Sequence, residues 1–358
     1  MGSHRLQKTV AVDINPATRP VQTGTEIFTR EVCSRLPAAA EELRWRFFSS
    51  RPGRALGVDA VVAPFPRLWS QVRLPVALVG EHPDLLFVPA HVLPFAWPGR
   101  MLTVVHDLAF ERHPEAYSGT ERTYLRLTTR WAAARCPLLI AVSESTKQDL
   151  IATYRVRPER VRVVPLGVSA PAIPPAPPER LAELGVDGPF VLQVGRIEPR
   201  KNQATALAAV ERLDGVTLVV AGLEREPSLT ARLRASNRCR VLGVVDQPTL
   251  ELLYQRAVAV VVPSLYEGFG LPVLEAMTRG KIVVAARTSS LPEVAGDAAV
   301  FYDDPLDADQ LASALRVALT DQAVRVPLMR AARERARQFT WDRTAEGVAA
   351  VIREAVSL

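Results

Sequence analysis

Residues 257–277 read AVAVVVPSLYEGFGLPVLEAM, a stretch that indicates the fold class. Its apolar run, 257–263, is typical of a strand buried in a parallel sheet. Pro272 suits the first turn of a helix, where its missing N–H removes no hydrogen bond. The stretch therefore predicts a buried strand, a loop that contains two glycines, and then a helix.

The loop between that strand and that helix contains the residues that we expect to bind a ligand. Its glycines let the backbone approach a ligand closely, and the amides of the first helical turn point at an anion. Glu267 and Glu275 lie on either side of Gly-Phe-Gly. Because their charges would repel a phosphate, we expect them to meet sugar hydroxyls. A nucleotide-diphosphate sugar offers both groups, whereas a glycine-rich turn with a capping glutamate is the purely structural alternative.

The alternation of short β-branched runs and longer helical stretches extends along the whole chain. Strands are predicted at 8–15, 84–90, 101–107, 137–143, 160–167, 189–195, 216–222, 240–245, 257–263, 281–287 and 298–303. Helices are predicted at 25–36, 121–134, 203–213, 249–256 and 271–280, with one more between 222 and 240 and one that starts at the hydroxyl-rich residues 143–146. Such alternation predicts parallel sheets that are covered by helices on both faces.

A proline-rich segment divides this pattern in two. Residues 168–181 contain five prolines in fourteen residues, which neither a helix nor a central strand tolerates. We therefore expect an N-terminal domain at 1–168, a stiff linker at 169–188 and a C-terminal domain at 189–339. Each would be a Rossmann-like, doubly wound α/β domain, and the two would face each other across a cleft in which ligands bind.

Composition excludes several classes of protein. A length of 358 residues makes two domains the default, and 48% apolar residues are ordinary for a globular chain. No apolar run approaches the ~18 residues that span a bilayer, and the start, MGSHRLQK, has no apolar signal core. Three scattered cysteines, Cys33, Cys136 and Cys239, fit neither a disulfide framework nor a zinc site. We expect a cytoplasmic protein.

The net charge of +6 is unevenly distributed. Residues 1–170 contain 22 Lys and Arg against 15 Asp and Glu, a balance of +7, and the remainder contains 22 against 23, a balance of −1. This excess favours an acidic partner or an anionic membrane surface, with the basic runs 155–157 and 160–162 as the contact. A drift of composition toward arginine explains the same numbers without any partner.

A second motif, VLQVGRIEPRKNQATAL at 191–207, also follows a buried strand. The strand ends at Gly195, and Arg196 and Lys201 follow on the loop before the next helix. An arginine can fork onto two phosphate oxygens and a lysine supplies a mobile charge, so both can reach one diphosphate. Glu198 and Arg200, on the same loop, are expected to be solvated.

Together these motifs resemble the retaining glycosyltransferases of family 4, which have the two-domain GT-B fold. The resemblance rests on Glu267 and Glu275 around SLYEGFGLP (264–272), and on GRIEPRKN (195–202), SSLPEVAGDAA (289–299), TVVHDL (103–108) and IAVSESTKQDL (140–150). It covers nearly the full length and is strongest for a bacterial mannosyltransferase-like branch. It ends in FTWDRTAEGVAAVIREAV (339–356), which in the family is a helix that packs back on the first domain, here about 340–358.

The resemblance implies that the second domain binds the donor nucleotide. Arg196 and Lys201 would hold the diphosphate beside Gly195. Glu275 would bind the ribose hydroxyls, and Val244, in the turn 243–245, would frame the base. GDP-mannose is the favoured donor, with UDP-glucose as the alternative.

The same resemblance implies a place for the transferred sugar. Glu267, with the amides of Phe269, Gly270 and Leu271, would hold the sugar. His106, at the end of the strand 101–107, would lie beside the reacting carbon and would be catalytic together with Glu267. A satisfied core or loop histidine is the simpler explanation of His106.

On the acceptor side the chain departs from many relatives, which carry a double glycine in the first strand-to-helix loop. Here the loop NPATRPVQTGTE (15–26) has only Gly24. The helix N-terminus at Thr23, Gly24 and Thr25 would still donate to a phosphate. His91, in FVPAHVLPF (87–95), is a weaker candidate. The acceptor would be a glycan, a lipid-linked molecule or a small molecule, and no nucleic acid is expected.

The predicted reaction is transfer of a hexose, of mannose or glucose type, with retention of configuration. No metal and no cofactor are expected, because the Asp-x-Asp at 307–309 reads as a helix start, so Arg196, Lys201 and helix amides would stabilise the leaving diphosphate. A nucleotide-sugar epimerase of the same fold and a non-catalytic nucleotide-sugar binder are the alternatives. A dehydrogenase is excluded, since no strand is followed by G-x-G-x-x-G.

Overall fold

A computed structural model of the chain describes residues 7–19, 23–52, 56–63, 68–170 and 172–358. The first six residues of the segment MGSHRLQK lie outside this range. The chain divides into two units, Met1–Gly167 together with Trp341–Leu358, and Val168–Thr340. Each unit contains its own sheet and its own core.

The first unit has a seven-stranded parallel sheet. Its strands are β1 (Thr9–Asp13), β2 (Arg44–Ser49), β3 (Ala60–Val62), β4 (Leu85–Val88), β5 (Met101–Val105), β6 (Leu139–Ala141) and β7 (Val161–Val163). Its helices are α1 (Gly24–Cys33), α2 (Leu36–Ala39), α3 (Leu74–Leu78), α4 (Ala109–Arg112), α5 (Gly119–Arg135), α6 (Glu144–Tyr154) and, from the end of the chain, α15 (Trp341–Ser357). The strand order is β3-β2-β1-β4-β5-β6-β7, and every pairing is parallel.

The core of the first unit lies on both faces of this sheet. β4 and β5 are buried along their whole lengths, as expected of strands that helices cover on both sides. The amphipathic helix α15 packs its apolar face on α1 and α2, and the rings of Phe28 and Trp341 meet edge to face with centroids 6.5 Å apart. The last helix of the chain is therefore part of the first unit.

The second unit has a six-stranded parallel sheet. Its strands are β8 (Phe190–Val194), β9 (Thr217–Ala221), β10 (Cys239–Gly243), β11 (Ala259–Val262), β12 (Val283–Ala286) and β13 (Val300–Tyr302). Its helices are α7 (Glu179–Glu183), α8 (Gln203–Val210), α9 (Pro227–Ala235), α10 (Gln247–Arg256), α11 (Leu271–Thr278), α12 (Leu291–Ala295), α13 (Ala308–Thr320) and α14 (Gln322–Ala336). The strand order is β10-β9-β8-β11-β12-β13, again parallel throughout.

Most predicted elements are confirmed, and two strands were missed. The helix start at 143–146 is confirmed, because the Ser143 hydroxyl caps α6 by accepting the Thr146 N–H at 3.0 Å. β2 reads RWRFFS, and β3 has only three residues. Arginines at 44 and 46 interrupt the apolar run of β2 because this strand lies near the edge of its sheet, where it is only partly buried.

Two of the four arginines in the basic runs 155–157 and 160–162, Arg160 and Arg162, make close contacts within the first unit. The Arg160 guanidinium donates to the backbone carbonyl of Ala133 at 2.9 Å, at the end of α5. Arg162 binds the Glu354 carboxylate, with Nε 3.0 Å from Oε2, and Arg157 lies 3.4 Å from Glu159. Arg155 is exposed and has no side-chain partner among the described residues, and Arg157 is also exposed. A membrane contact through these runs therefore stays a prediction.

Two further findings concern the class of protein. No helix in the described part of the chain is long and apolar enough to cross a bilayer. The three cysteines are buried free thiols, and burial raises the pKa of Cys136 and of Cys239 to about 12.

Candidate functional site

The strand order of the second sheet brings the two predicted motifs together. The order runs outward in opposite directions from β8 and β11, which are hydrogen-bonded neighbours with Val191 opposite Ala259. Ligands of doubly wound sheets bind at such a switch point, outside the carboxyl ends of the strands. The loop after β8, 195–202, and the loop after β11, 263–270, leave the sheet side by side at this point. They carry the cations and Glu267 respectively.

Glu267 lies in a buried ion cluster between these loops. Its Oε1 is 2.5 Å from Lys201 Nζ and accepts a hydrogen bond from the Ser264 hydroxyl at 2.7 Å. Its Oε2 is 3.5 Å from Nη1 of Arg200. Burial by itself would raise the pKa of Glu267, but the charges of Lys201 and Arg200 lower it below its ordinary value. The site therefore holds an ionised carboxylate.

Arg200 and Glu198 are not solvated, and that prediction is wrong. Arg200 is only 7% exposed, and its Nη2 lies 2.7 Å from Glu198 Oε1. Its Nη1 donates to the backbone carbonyl of Tyr266 at 2.8 Å, and its own carbonyl accepts the Leu265 N–H at 2.9 Å. A 3₁₀ turn, Pro199–Lys201, directs the side chain inward. Arg200 thus fastens the loop after β8 to the loop after β11.

Arg196 differs from Arg200, the second arginine on this loop. It is half-buried, and among the described residues its guanidinium has no hydrogen-bond or ion-pair partner. Its backbone carbonyl accepts a hydrogen bond from Gln203 Nε2 at 2.7 Å, which fixes the start of α8. The structure therefore leaves the Arg196 charge available to an anion.

Close approach of two backbones sets the path of this loop. A Cβ at Gly222, where φ is +153°, would lie 2.0 Å from the carbonyl oxygen of Gly195. Gly195 itself has φ of +145°, so both positions need glycine. Gly222 ends a predicted strand, but sequence reasoning gave it no role, because the contact appears only once β8 and β9 are paired.

The glycine loop forms the N-terminus of α11, as predicted. Gly270 is the N-cap residue, with φ of +103°, and a Cβ there would lie 2.8 Å from Leu291 Cδ2. Phe269 is buried, and its ring meets Phe339 edge to face with centroids 5.9 Å apart. Within the described chain, the backbone N–H groups of Phe269 and Gly270 have no acceptor. Together with Leu271, the first helical residue, they present donors to an anion or a hydroxyl.

Two serines that sequence reasoning did not single out hold this loop. The Ser289 hydroxyl accepts the Glu267 N–H at 2.8 Å. The Ser290 hydroxyl lies 2.9 Å from the Glu267 carbonyl and 2.8 Å from the Phe269 carbonyl. Both belong to SSLPEVAGDAA, which entered the sequence analysis only through the family resemblance. The backbone of the loop is therefore fixed from the start of α12.

Glu275, the second acid, belongs to a separate network on α11. Its Oε2 accepts a hydrogen bond from the Tyr254 hydroxyl at 2.8 Å. Tyr254 is fully buried beneath the guanidinium of Arg279, and burial followed by the Glu275 charge raises the pKa of its phenol. Glu275 is half-buried, and among the described residues its second oxygen has no partner. One oxygen is thus held by the protein, and the other is available to a ligand hydroxyl.

Two further features from the sequence analysis, Val244 and the Asp-x-Asp sequence at 307–309, also lie in the second unit. Val244 follows β10 and is 66% exposed, beside Gly243, whose carbonyl accepts the Gly222 N–H at 2.8 Å. Asp307 caps α13, because its Oδ1 accepts the N–H groups of Asp309 and Gln310 at 2.8 and 3.0 Å. The expected helix start at 307–309 is confirmed.

The two candidate histidines, His106 and His91, lie in the first unit. His106 follows β5; its Nε2 is 2.8 Å from the Pro89 carbonyl, and its ring meets Phe28 edge to face at 5.0 Å. Burial lowers the pKa of His106, so the ring is neutral, with Nε2 as donor and Nδ1 as acceptor. Burial lowers the pKa of His91 to about 4, and its Nε2 contacts the Thr129 hydroxyl. His91 is half-buried, and its ring meets Phe110 edge to face with centroids 5.5 Å apart.

At the N-terminus of α1, a carboxylate already occupies part of the predicted anion site. Glu26 is buried, and its Oε2 accepts the Thr23 N–H at 2.9 Å in a capping box. Arg19 Nη1 lies 3.1 Å from Glu26 Oε1. The Thr23 N–H is thus engaged by Glu26, and Gly24 lies beside this negative charge. Donation to a phosphate by Gly24 and Thr25 stays a prediction.

A buried acid in the first unit was also missed. Asp13 ends β1 at the switch point of the first sheet, next to β4. Its Oδ1 accepts the Trp69 indole N–H at 2.9 Å and the Asn15 N–H at 3.0 Å. Burial raises the pKa of Asp13 to about 6. In the sequence it is one acid at the end of an apolar run, with no second residue to indicate a role.

Comparison with known proteins places this chain in a family. The sequence pattern of glycosyltransferase family 4 matches residues 23–170, and that of the glycosyl transferases group 1 matches residues 181–339. The chain is 31% identical over 258 residues to O-antigen chain mannosyltransferase B of Escherichia coli, a match that covers 68% of this chain and 67% of that protein. The chain therefore belongs to the retaining glycosyltransferases of family 4, as its motifs predicted, and it is an enzyme that transfers a sugar from a nucleotide sugar.

Solved structures confirm the predicted fold class. The structure resembles sucrose-phosphate synthase of Thermosynechococcus elongatus with a TM-score of 0.77 and 21% identity, over 97% of this chain and 98% of that one. It resembles HepE of Anabaena in complex with UDP-glucose with a TM-score of 0.76 and 19% identity, over 97% and 99%. At such identities the likeness shows the GT-B fold alone.

Proposed function

We propose that this enzyme transfers a hexose from a nucleotide-diphosphate sugar to a hydroxyl of its acceptor, with retention and without a bound metal. The observation that supports this reaction best is the switch point of the second sheet. There Arg196, Lys201 and the open N-terminus of α11 adjoin the ionised carboxylate of Glu267. One small region thus offers cations for a diphosphate and hydrogen-bond acceptors for sugar hydroxyls.

In the proposed reaction, the bond between the anomeric carbon and the phosphate oxygen breaks, and its electron pair stays on the diphosphate. The acceptor oxygen forms the new bond to the anomeric carbon, and its proton passes to the leaving diphosphate. Arg196 and Lys201 stabilise the charge that develops on the leaving group, together with the amides of α11. The Arg196 side chain suits this role because it has no partner elsewhere in the described chain.

The two acids have distinct proposed roles. Glu275 binds the ribose hydroxyls through the oxygen that Tyr254 leaves available. Glu267 binds hydroxyls of the transferred sugar, with the amides of Phe269, Gly270 and Leu271 as donors. In the first unit, His106 offers Nδ1 as a neutral acceptor, which suits a sugar hydroxyl near the reacting carbon.

GDP-mannose is the donor that we favour, with UDP-glucose as the alternative. The relative from Escherichia coli is a mannosyltransferase, which supports mannose. HepE of Anabaena was solved with UDP-glucose, which supports the alternative. Val244 would contact the base, and its apolar side chain does not distinguish guanine from uracil.

The acceptor class that we propose is a glycan, a lipid-linked molecule or a small hydroxylated molecule, and not a nucleic acid. The buried free thiols fit a reducing compartment, which supports a cytoplasmic enzyme. With an acceptor that is carried by lipid, the enzyme would act at the inner face of the cell membrane.

Donor binding and transfer are tested in two steps. Thermal unfolding with GDP, UDP and ADP identifies the base, because a ligand of the native state raises the melting temperature. Radiolabelled GDP-mannose and UDP-glucose are then incubated with and without a membrane extract as acceptor source. Transfer of label that requires the extract supports the proposal. Conversion of the donor into another free nucleotide sugar without the extract would identify an epimerase, and binding without turnover would contradict transfer.

A further inference from the structure

The loops that follow β9 and β10 place an acid beside exposed apolar side chains. Leu223 in the first loop and Val244 in the second are 40 and 66% exposed. The Gly222 N–H donates to the Gly243 carbonyl at 2.8 Å, so the two loops leave the sheet side by side. The side chain of Glu224 reaches across to the second loop, because a Cβ at Gly243 would lie 3.5 Å from its Oε1. An acid and an apolar surface therefore lie together at the carboxyl ends of these strands.

The carboxylate of Glu224 is held in place but not fully used. Nη2 of Arg234, on α9, lies 2.7 Å from Glu224 Oε1, and the Glu224 side chain is 31% exposed. The backbone is fixed as well, since Glu224 pairs with Ile197 of the loop after β8 in a parallel bridge. In the part of the chain that the structure describes, Glu224 Oε2 has no hydrogen-bond or ion-pair partner. Because a carboxylate offers about four lone pairs, Glu224 can still accept two hydrogen bonds from a ligand.

Under the proposed function, on which the next step rests, the strand order gives the direction of a bound nucleotide sugar. The sugar is assigned to Glu267, whose N–H is accepted by the Ser289 hydroxyl from the loop after β12. The diphosphate is assigned to the loop after β8, on the opposite side of β11. Beyond the diphosphate the molecule continues to ribose and base, and β9 and β10 follow at about 5 Å per strand. The base therefore reaches the loops that carry Glu224 and Val244.

We propose that Glu224 selects guanine as the base of the donor. Guanine presents N1–H and its 2-amino group side by side, so two nearly parallel hydrogen bonds can form with one carboxylate. Uracil offers a single N–H between two carbonyl oxygens, which a carboxylate repels. In adenine the amino group adjoins N1, whose lone pair has the same effect. Leu223 and Val244 would contact the face of any base, so the selectivity comes from the acid and the donor is a GDP-sugar.

Two other acids near this turn are already used by helices. Asp246 Oδ1 accepts the Thr249 N–H at 2.9 Å and caps α10. Glu226 Oε1 accepts a hydrogen bond from the Ser228 hydroxyl at 2.7 Å at the start of α9. Glu224 makes neither kind of contact, so these two acids provide matched controls for it.

Calorimetric titration of the full chain with GDP, IDP and UDP tests the proposal. IDP, the inosine nucleotide, keeps N1–H and lacks only the 2-amino group. We expect GDP to bind about tenfold more tightly than IDP, the effect of one hydrogen bond to a charged group, and about a hundredfold more tightly than UDP. IDP or UDP that binds as tightly as GDP would overturn the proposal.

Matched variants locate the effect. Glu224→Gln replaces one acceptor oxygen by an amide NH2, so GDP should bind at least about tenfold more weakly, and to within about threefold of IDP. Glu226→Gln and Asp246→Asn remove the same charge from neighbouring positions and should keep the preference for GDP. Loss of this preference in a control, or its retention in Glu224→Gln, would overturn the assignment to Glu224.

Two further measurements separate the remaining outcomes. Thermal unfolding shows whether each variant folds, and Glu224→Ala, which removes both oxygens, replaces Glu224→Gln if that variant does not. If the unmodified chain binds none of the three nucleotides, both the proposed function and the selection of guanine are contradicted. If it binds UDP more tightly than GDP and transfers sugar from UDP-glucose, the proposed function holds and only the selection of guanine is overturned.

Discussion

The ammonium of Lys201 and the carboxylate of Glu267 form a buried ion pair, with Nζ 2.5 Å from Oε1 and side-chain exposures of 14 and 8%. Lys201 is the residue that the proposed reaction assigns to the diphosphate, and Glu267 is the residue that it assigns to the sugar. An ammonium has three N–H donors, so a phosphate can bind Lys201 while one donor remains on Glu267. The pair therefore couples the position of the leaving group to that of the transferred sugar.

Lys201→Ala should reduce turnover about 10²–10³-fold, because it removes a charged donor whose contribution grows as the leaving group gains charge. Initial rates of sugar transfer at saturating donor measure this effect. Lys147→Ala, which removes a lysine from the first unit, is the control and should leave turnover unchanged. A Lys201→Ala enzyme with nearly normal turnover would contradict the assignment.

Arg200 and Arg196 should respond in opposite ways to the same substitution. Arg200→Met leaves Glu198 and Glu267 without their shared buried cation, so we expect the free energy of unfolding to fall by about 3–5 kcal/mol. Arg196→Met should change it by less than about 0.5 kcal/mol, since Arg196 has no side-chain partner in the described chain. Urea unfolding followed by circular dichroism measures both effects.

Nucleotide binding distinguishes the same two positions. Arg196→Met should weaken GDP or UDP roughly tenfold or more, because it removes a charged hydrogen-bond donor from the diphosphate. Arg200→Lys, which keeps the charge, should retain most of the affinity for the free nucleotide. Loss of stability in Arg196→Met, or normal stability in Arg200→Met, would show that the roles are reversed.

The sequence predicted those features that depend on neighbours along the chain. β4, β5 and β11 are continuous apolar runs because helices cover both of their faces, so their pattern was clear. β2 was missed because arginines interrupt its apolar run at a partly solvated position. The glycine loop and its helix were likewise predicted from local rules, since glycine and proline have distinct backbone requirements.

Features that depend on which strands are neighbours were not predicted. Arg200 and Glu267 are 67 residues apart, and they meet only because β8 pairs with β11. An arginine on a loop is exposed by default, and nothing local to GRIEPRKN shows a second carboxylate nearby. The hydrogen bond between Tyr254 and Glu275 is hidden in the same way, because α10 and α11 lie on either side of β11 in the sequence.

Glu275→Ala and Glu267→Ala should affect different parts of the donor. Glu275→Ala should weaken the free nucleotide and the nucleotide sugar alike, because both carry the ribose. Glu267→Ala should leave the free nucleotide unaffected and weaken the nucleotide sugar only. Isothermal calorimetry on both variants with GDP, GDP-mannose, UDP and UDP-glucose measures this. Equal losses for nucleotide and nucleotide sugar in both variants would mean that the assigned roles are wrong.

Tyr254→Phe should reduce nucleotide affinity through Glu275. The substitution removes only the hydroxyl that holds Glu275 Oε2 at 2.8 Å, a hydrogen bond to a charged group whose loss corresponds to roughly tenfold in affinity. A nucleotide that lacks both ribose hydroxyls is the control ligand, because the variant and the unmodified chain should bind it equally. A loss of the same size for both ligands would indicate general damage to the fold and would contradict a positioning role.

Asp13→Asn should stabilise the first unit at neutral and alkaline pH. Burial raises the pKa of Asp13 to about 6, whereas an unfolded aspartate titrates near 3.9. The folded state therefore binds the proton more tightly, and stability is lost as the pH rises from about 4 through about 6. At pH 8 the ionised carboxylate costs about 3 kcal/mol, which an amide avoids while its oxygen still accepts the Trp69 and Asn15 N–H groups.

Tryptophan fluorescence measures the effect of Asp13→Asn on the first unit alone. All five tryptophans lie in the first unit, so their emission in urea follows its unfolding. Asp84→Asn is the matched control with the opposite sign: Asp84 is bound by Lys8 and the Thr9 N–H, which outweigh its desolvation and lower its pKa. Asp84→Asn should destabilise the first unit at pH 8. Asp13→Asn should stabilise the same unit at pH 8 and change its stability little at pH 4. An Asp13→Asn variant that is less stable at pH 8 would mean that the buried carboxylate is stabilised by its donors more than burial costs it.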